Sequence, residues 1–552
     1  MAEKQKKTER AADQDEDALE ALVNQFADPM SFVRELVQNS IDAGSVEIDV
    51  SCEWKPTAGE VGTASIHVDD FGLGMDRNII ETKLTRLFSS DKEGDLTKIG
   101  KFGIGFVSVF AIAPDAVCVD TGRGGESWRV LFRRDRSFSL IRLAEPIEGT
   151  KIQVIKQMTE PEYRALLPRV RGALHFHCKH VDVALRFSGE PITEAFDLPE
   201  ALIKERDKSD LSEIVMGILP SQTKPILGFY NRGLTLVERP SDVPHVGCKI
   251  QSSYLEHTLS RDSVVQDENY ARIMSQRERL LRGPFLRTLM QKLDALLKEG
   301  APPDRVRPYQ ASLAALVIRG CAAPADCENL AVATSITGLC VCLPELSSAA
   351  ERGKLVHARA QTPLVDGLIK ADGCVCPAWQ APLVAAMYRA GSGPWGASDT
   401  PDEDAQNAYA IEQQFVLPLP FHTSDRTLKK RITALCAATQ KLLRKSREKA
   451  ESVAMAQLGY EGSSVRGALS VVMPSGAFSL APLPRGHDSL DGTLVIDAEH
   501  KQLQPLLPLC DREPELAAYT LLKLCLFGQM TAERDSALLT AAMETRWRRM
   551  TS

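Results

Sequence analysis

Arg34-Glu35-Leu36-Val37-Gln38-Asn39-Ser40-Ile41-Asp42-Ala43-Gly44 is the stretch on which the reading of the N-terminal region turns. Glu35, Asn39 and Asp42 recur at steps of four and three, so they line one face of a helix whose other face is apolar. That arrangement suits a metal-and-water site. A neutral carboxamide such as Asn39 can coordinate Mg²⁺ beside phosphate oxygens, while a carboxylate one turn earlier, Glu35, can orient and deprotonate a water aimed at a terminal phosphate. Taken alone, the segment is better read as a solvated polar helix face.

Leu19, Leu22, Val23 and Phe26, then Phe32, Val33, Leu36 and Val37, fall at helical spacing, with Asp28-Pro29-Met30 as a break between two helices and Gly44 ending the second. Alternating runs at 46–50 and 64–68 read as two strands, and further strand-like runs follow at 116–120, 127–132, 137–143 and 150–155. The region to about 190 is therefore expected to be helices on a mostly antiparallel sheet. Two glycine clusters punctuate it. Val68-Asp69-Asp70-Phe71-Gly72-Leu73-Gly74-Met75 follows a strand directly, bringing backbone close to a ligand, and a buried Asp there can accept a hydrogen bond from an exocyclic amine such as that of adenine. By itself this is also an ordinary turn at a strand end. Lys98-Ile99-Gly100-Lys101-Phe102-Gly103-Ile104-Gly105-Phe106 has glycines at intervals of three and two leading into an apolar helix, which suits a phosphate cradle of backbone N–H groups. It lacks the Gly-Lys-Ser/Thr ending of a Walker loop and does not follow a first strand as a dinucleotide fingerprint does. Glu148-Gly149-Thr150 then opens a strand, where the Thr150 hydroxyl can reach the same ligand.

In that order, Glu35-x-x-x-Asn39-x-x-Asp42-Ala43, Asp70-x-Gly72-x-Gly74-Met75, Gly100-x-x-Gly103-x-Gly105-Phe106 and Gly149-Thr150 resemble the ATP-binding boxes shared by gyrase, the HtpG-type heat-shock chaperones, histidine kinases and MutL, the GHKL superfamily. The resemblance implies an α+β chain with an N-terminal Bergerat-type α/β sandwich that binds ATP and Mg²⁺. It implies Asn39 on the metal, Asp70 on the adenine amine, and Gly100, Lys101, Phe102, Gly103, Ile104, Gly105 and Phe106 around the phosphates. Asp42, Gly74, Met75, Ser90, Lys92 and Thr150 complete the implied nucleotide contacts, with Ser90 and Lys92 on a mobile lid over roughly residues 80–104. Histidine kinases lack a hydrolytic carboxylate at the position of Glu35, so its presence favours an ATPase. The loop Ile99 to Phe106 is closest to the chaperone version, although Lys101 stands where chaperones usually carry Gln. Leu227-Gly228-Phe229-Tyr230-Asn231-Arg232-Gly233-Leu234 and the run from Ser253 to Gln266 resemble the chaperone middle segment. An Arg after Ser in that loop reaches the γ-phosphate in the family, which makes Arg261 the second catalytic candidate. A surface Arg near a helix start is the plain alternative.

The likeness covers about residues 18–290. The expected organisation is a charged tail (1–17), the ATP-binding domain (18–192), a chaperone-like middle α/β domain (193–300), a mixed α/β domain (301–390), a linker (391–408) and a C-terminal α/β domain with a possible dimerisation role (409–552). One long helix is expected over 267–297, a basic amphipathic helix over 426–457 and a helical tail over 514–548. The chain has 552 residues, 44% hydrophobic and 25% charged, so it reads as a folded globular protein rather than a disordered or membrane-embedded one. The charged start and the lack of a long apolar run point away from export or a membrane, and thirteen scattered cysteines suit reduced thiols in the cytoplasm. A net charge of −7 disfavours nucleic acid as a partner of the whole protein. His175, His177, Cys178 and His180 match no familiar zinc spacing, and Cys340, Cys342, Cys374 and Cys376 are better read as buried strand thiols than as zinc ligands. The expected function is an ATPase in which ATP closes the lid and joins two protomers around a protein client. A MutL- or MORC-like clamp on nucleic acid is the alternative.

Overall fold

The computed structural model describes residues 28–57, 60–85, 104–209, 211–258, 263–390, 407–446, 450–474, 476–484 and 491–551. The tail 1–17, the helix expected over 18–26, most of the lid and nearly all of the linker lie outside them. Contacts divide the chain into two units, Met1–Asp242 with Val246–Leu281, and Val243–His245 with Arg282–Ser552.

In the first unit, Asp28 caps a short turn by accepting a hydrogen bond from Met30 N–H at 2.9 Å, and Pro29, which has no N–H to lose, sits where a helix begins. The chain then enters α1 (Phe32–Asp42), whose Phe32, Val33, Leu36 and Val37 are buried. The strands β1 (Glu47–Pro56), β2 (Val61–Asp70), β3 (Ala116–Arg123), β4 (Glu126–Arg133), β5 (Phe138–Arg142), β6 (Thr150–Thr159), β7 (Ala184–Phe187) and β8 (Glu190–Pro191) form one sheet in the order β5-β4-β3-β6-β2-β1-β7-β8. Every pairing is antiparallel except β1 with β7. Between β2 and β3 lies the four-residue helix α2 (Ile104–Val107). After β6 comes α3 (Glu160–Cys178), which opens with a reciprocal capping box between Thr159 and Glu162 and packs on α1. One continuous core joins the two helices to the sheet, from Val33 and Leu36 through Ile66, Val117 and Val154 to Val170 and Leu174. Helices on an antiparallel sheet make this an α+β fold.

The same unit carries a second sheet of β9 (Ile203–Lys208), β10 (Ser212–Ile218), β11 (Ile226–Asn231), β12 (Leu234–Pro240) and β13 (Val246–Ser252), ordered β12-β11-β13-β10-β9. Where one helix is expected over 267–297, the structure has Glu268–Leu280, a π-type turn Leu281–Phe285 and Leu286–Glu299. Pro284 is the reason: it cannot donate to the residue one turn back, and the widened turn absorbs the missing bond.

The second unit contains small two-stranded sheets and one four-stranded sheet. The helix expected over 426–457 ends at Lys445, and Ala450–Gln457 is instead a strand between Leu419–Pro420 and Gly492–Asp497. Pairing on both edges outweighs the weak helical preference of that segment. The tail is two helices, Pro514–Cys525 and Ala532–Thr551. Among the described residues, no helix is long and apolar enough to cross a membrane.

Candidate active site

The apolar side of α1 is pinned to the sheet, and this fixes where its polar residues go. Glu35 is only 4% exposed. Its Oε1 accepts a hydrogen bond from Arg34 Nη1 at 3.3 Å, and on its other side it meets Gly105 of α2, where a β-carbon would lie 2.8 Å from Glu35 Oε2. Any side chain at 105 would push on the carboxylate, which is the local reason for glycine there. Asn39, one turn further along α1, is exposed. Asp42 ends the helix, with its Oδ1 3.3 Å from Arg232 Nη1. Burial raises the Asp42 pKa and the Arg232 charge opposes that shift.

Asp70 closes β2 and is 5% exposed. Its Oδ1 accepts from Gly72 N–H at 2.9 Å and from Thr150 N–H at 3.2 Å, and its Oδ2 accepts from Ser40 Oγ on α1 at 3.0 Å. Burial raises the Asp70 pKa above the ordinary carboxylate value, while the Gly72, Ser40 and Thr150 hydrogen bonds pull it back. The loop after Asp70 is tied to the end of α1, with Leu73 N–H donating to Ala43 O at 2.9 Å and Phe71 N–H donating to Ser45 Oγ at 3.0 Å. Gly74 has φ +61°, and a β-carbon there would lie 2.1 Å from Gly122 O. Met75 N–H then donates to Thr121 Oγ1 at 2.8 Å.

Asp70, Thr150 and Ser40 are thus brought together, as are Gly74 and Met75 with Thr121, and Glu35 with Gly105. Ile104 opens α2. Phe106 is a core residue whose ring lies 5.3 Å from that of Phe132, so it anchors the end of the glycine loop. Ser90, Lys92, Gly100, Lys101, Phe102, Gly103 and Arg261 lie outside the described residues. Sequence reasoning gave no role to Arg34, Ser40 or Thr121. Ser40 stands between two assigned residues, but Thr121 becomes visible only through its register opposite Thr150.

The donor set fits an adenine nucleotide and a hard cation. With the single Ser40 proton on Asp70 Oδ2 rather than on Leu36 O, which is also 3.0 Å away, three of the four lone-pair sites of ionised Asp70 are taken, which leaves one on Oδ2 for a ligand N–H. Asn39 offers a neutral oxygen of the kind Mg²⁺ accepts beside phosphate. Among the described residues, no group of three or more His, Cys, Asp and Glu is placed to hold a metal.

Residues 28–160 match the family described as histidine kinase-, DNA gyrase B-, and HSP90-like ATPase. The chain carries a GHKL ATPase domain. Its curated relatives include the chaperone protein HtpG of Wolbachia pipientis wMel, 26% identical over 209 residues, or 33% of this chain and 33% of that protein. HtpG of Shewanella pealeana is 28% identical over 258 residues, covering 36% of this chain and 39% of the relative. HtpG of Anaplasma phagocytophilum is 39% identical over 101 residues, 16% of each chain. The chain therefore spans about a third of the length of the Wolbachia and Shewanella relatives and less of the Anaplasma one.

The GHKL ATPase domain is joined to the second sheet through the β11–β12 hairpin. The turn of that hairpin, Arg232-Gly233, has positive φ at both residues and seats Gly233 against the backbone of His180, where a β-carbon would lie 2.0 Å from His180 O. Thr235 Oγ1 donates to Phe176 O at 2.7 Å, and Lys179 pairs with Glu238 at 3.0 Å. His257, beyond β13, lies near Arg34, whose charge helps burial to lower the His257 pKa. Thr258 N–H, just before residues 259–262, donates to Ser263 O, just after them, at 2.9 Å. The three imidazoles near the end of α3 sit in different surroundings: His175 meets Glu194 at 2.8 Å, His180 meets Lys249 at 3.0 Å, and His177 Nδ1 is buried with no hydrogen-bond partner.

Proposed function

We propose that this protein is a Mg²⁺-dependent, cytoplasmic ATPase resembling the HtpG chaperones, whose nucleotide cycle works through a homodimer on a protein client. The observation that carries the reading is Glu35, a carboxylate buried on α1 and held against Gly105 at the end of the glycine loop. A base in that position is shielded from bulk water and faces the segment that cradles phosphate in the family. Asp70 takes the adenine amine on its open lone pair, and Thr150 lies beside it. Gly74 and Met75 bring their backbone against the base, and Asp42 holds the ribose-phosphate side together with the lid residues Ser90 and Lys92. Gly100, Lys101, Phe102, Gly103, Ile104, Gly105 and Phe106 enclose the phosphates. Mg²⁺, when bound through Asn39, screens phosphate charge. Glu35 takes the proton of the attacking water, and Arg261 stabilises charge on the terminal phosphate.

The dimer is supported by helix Ala532–Thr551. Leu538, Ala541 and Ala542 are buried on one side of it, while Leu539, Met543, Trp547 and Met550 stay exposed at 41%, 50%, 71% and 66%. An apolar stripe at helical spacing on an outer face suits a helix-to-helix contact.

Steady-state hydrolysis and ATP affinity of the wild type and of Glu35→Ala, with light scattering for size, test the reading. Glu35→Ala is expected to bind ATP, to lose turnover by about a hundredfold or more, and to accumulate an ATP-bound dimer. A wild type that neither binds nor hydrolyses ATP refutes it. One observation favours the alternative nucleic-acid clamp: Arg426, Lys429, Lys430, Lys441 and Arg444 are exposed on helix Arg426–Lys445. Steeply salt-dependent DNA binding without suppression of client aggregation decides for that reading.

A further inference from the structure

Thr121, Thr150 and Asp70 stand in register on adjacent strands, Thr121 opposite Thr150 and Thr150 opposite Asp70. Directly opposed residues of antiparallel strands share a face, and Asp70 reaches Ser40 on α1, so all three side chains lie on the helix side of the sheet, the side to which the nucleotide reading assigns the base. All are buried, Thr121 at 0%, Thr150 at 6% and Asp70 at 5% exposure.

Their protons can be counted. Thr121 Oγ1 accepts Met75 N–H at 2.8 Å, lies 3.1 Å from Gly149 O and lies 3.1 Å from Thr150 Oγ1. A hydroxyl has one proton and two lone pairs. If Thr121 gave its proton to Thr150, the Thr150 proton would need another acceptor, and among the described residues Thr150 Oγ1 has none but Thr121. One arrangement uses every proton: Thr150 donates to Thr121, and Thr121 donates to Gly149 O. The Thr150 hydroxyl then offers only lone pairs to a ligand. Asp70 likewise offers only a lone pair, its last, on Oδ2.

We propose that Thr121 is a specificity-determining residue: by taking the Thr150 proton it makes the base site an acceptor-only pair, Asp70 Oδ2 and Thr150 Oγ1, that takes the two hydrogens of a 6-amino purine and repels a 6-oxo purine. This rests on the nucleotide reading above and adds the reason for base selectivity. Thr121 acts through Thr150 and need not touch the base.

The test is equilibrium binding of ATP and ITP to the full chain as wild type, Thr121→Val, Thr121→Ser and Thr150→Val. The wild type is expected to prefer ATP by roughly tenfold or more, one or two hydrogen bonds' worth. Thr121→Val frees the Thr150 proton to turn toward a 6-oxo group, so the ATP/ITP ratio falls about fivefold or more, chiefly through tighter ITP binding, and Thr121→Ser keeps the wild-type ratio. Thr150→Val lowers the ratio by weakening ATP instead, which supplies a second reading should Thr121→Val fail to fold. A merely structural role for Thr121 would weaken both triphosphates alike. A wild type that binds ATP, with a ratio that is the same in every folded variant, overturns this inference alone; a wild type that binds neither triphosphate overturns the nucleotide reading and this inference with it.

Discussion

Asp70 bears a charge where burial disfavours one, and three hydrogen bonds only partly offset that cost. Its native pKa lies above the ordinary 3.8, so the native state holds its proton to higher pH than the unfolded chain does. Between those two pKa values the native state binds more protons, and the unfolding free energy falls as pH rises through the window just above 3.8. Asp70→Asn keeps an acceptor for Gly72 and Thr150 but cannot ionise. It is expected to lose this pH dependence, to be at least as stable as the wild type near pH 7, and to bind ATP about ten- to a hundredfold more weakly, the loss of a charge-assisted hydrogen bond. Thermal melts over a pH series without nucleotide, with binding isotherms, check both halves. The place of Asp70, buried at the end of a strand before Gly72 and Gly74, was legible in the sequence. The partners of its carboxylate were not, since Ser40 is thirty positions away and Thr150 eighty.

At the scale of elements, two glycines separate backbone strain from crowding. Gly74 has φ +61° with Gly122 O 2.1 Å from where a β-carbon would go, whereas Gly124 has φ +63° with open space around it. Gly74→Ala is expected to cost about 2–4 kcal/mol and Gly124→Ala about 1 kcal/mol, read as shifts in urea midpoint at constant slope. The end of α3 carries a different sensitivity. His177 and His180 are each pushed to about 4 from 6.5, chiefly by burial, with the Arg34 charge adding to the first and the Lys249 charge to the second. Lys249 has no lone pair, so it donates to His180 Nε2, and His180 keeps its proton on Nδ1 facing Glu194 O. Unfolded, these imidazoles gain protons that the native state refuses, so stability is lost as pH falls from about 6.5 toward 4. His180→Gln is expected to flatten part of that loss; an unchanged slope assigns it elsewhere. The cluster His175 to His180 packs three imidazoles into six residues at no familiar zinc spacing, and the packing turns His175 to Glu194 and His180 to Lys249 while His177 Nδ1 is buried apart from both.

At the scale of the molecule, the exposed stripe on Ala532–Thr551 is the feature with the largest expected consequence. Met543→Glu combined with Trp547→Glu puts like charges into any self-contact of that face while leaving the buried side of the helix untouched. Light scattering with ATP is expected to show a shift from dimer to monomer, with ATP affinity within about twofold of wild type because the substituted side chains are exposed and, among the described residues, share no hydrogen bond or ion pair with the nucleotide residues. A dimer unaffected by the double substitution places the contact on another surface. The two strands expected near 50 and 66 and the helix carrying Glu35 were legible because their periodicity is strong and local. The strand Ala450–Gln457 was not, because its partners Leu419–Pro420 and Gly492–Asp497 are far away in sequence.

The sequence by itself determined the class of the N-terminal region, through four spaced boxes that, taken together and in order, resemble the ATP-binding boxes of the family matched over residues 28–160. Local patterns suffice where a residue type has few other reasons to be present. Only the tertiary structure decided that Glu35 is buried against Gly105, that Arg232 meets Asp42 and that the Thr121 and Thr150 hydroxyls meet. Each of these joins residues from separate strands and helices, and hydrogen bonds between distant residues leave no period in a sequence.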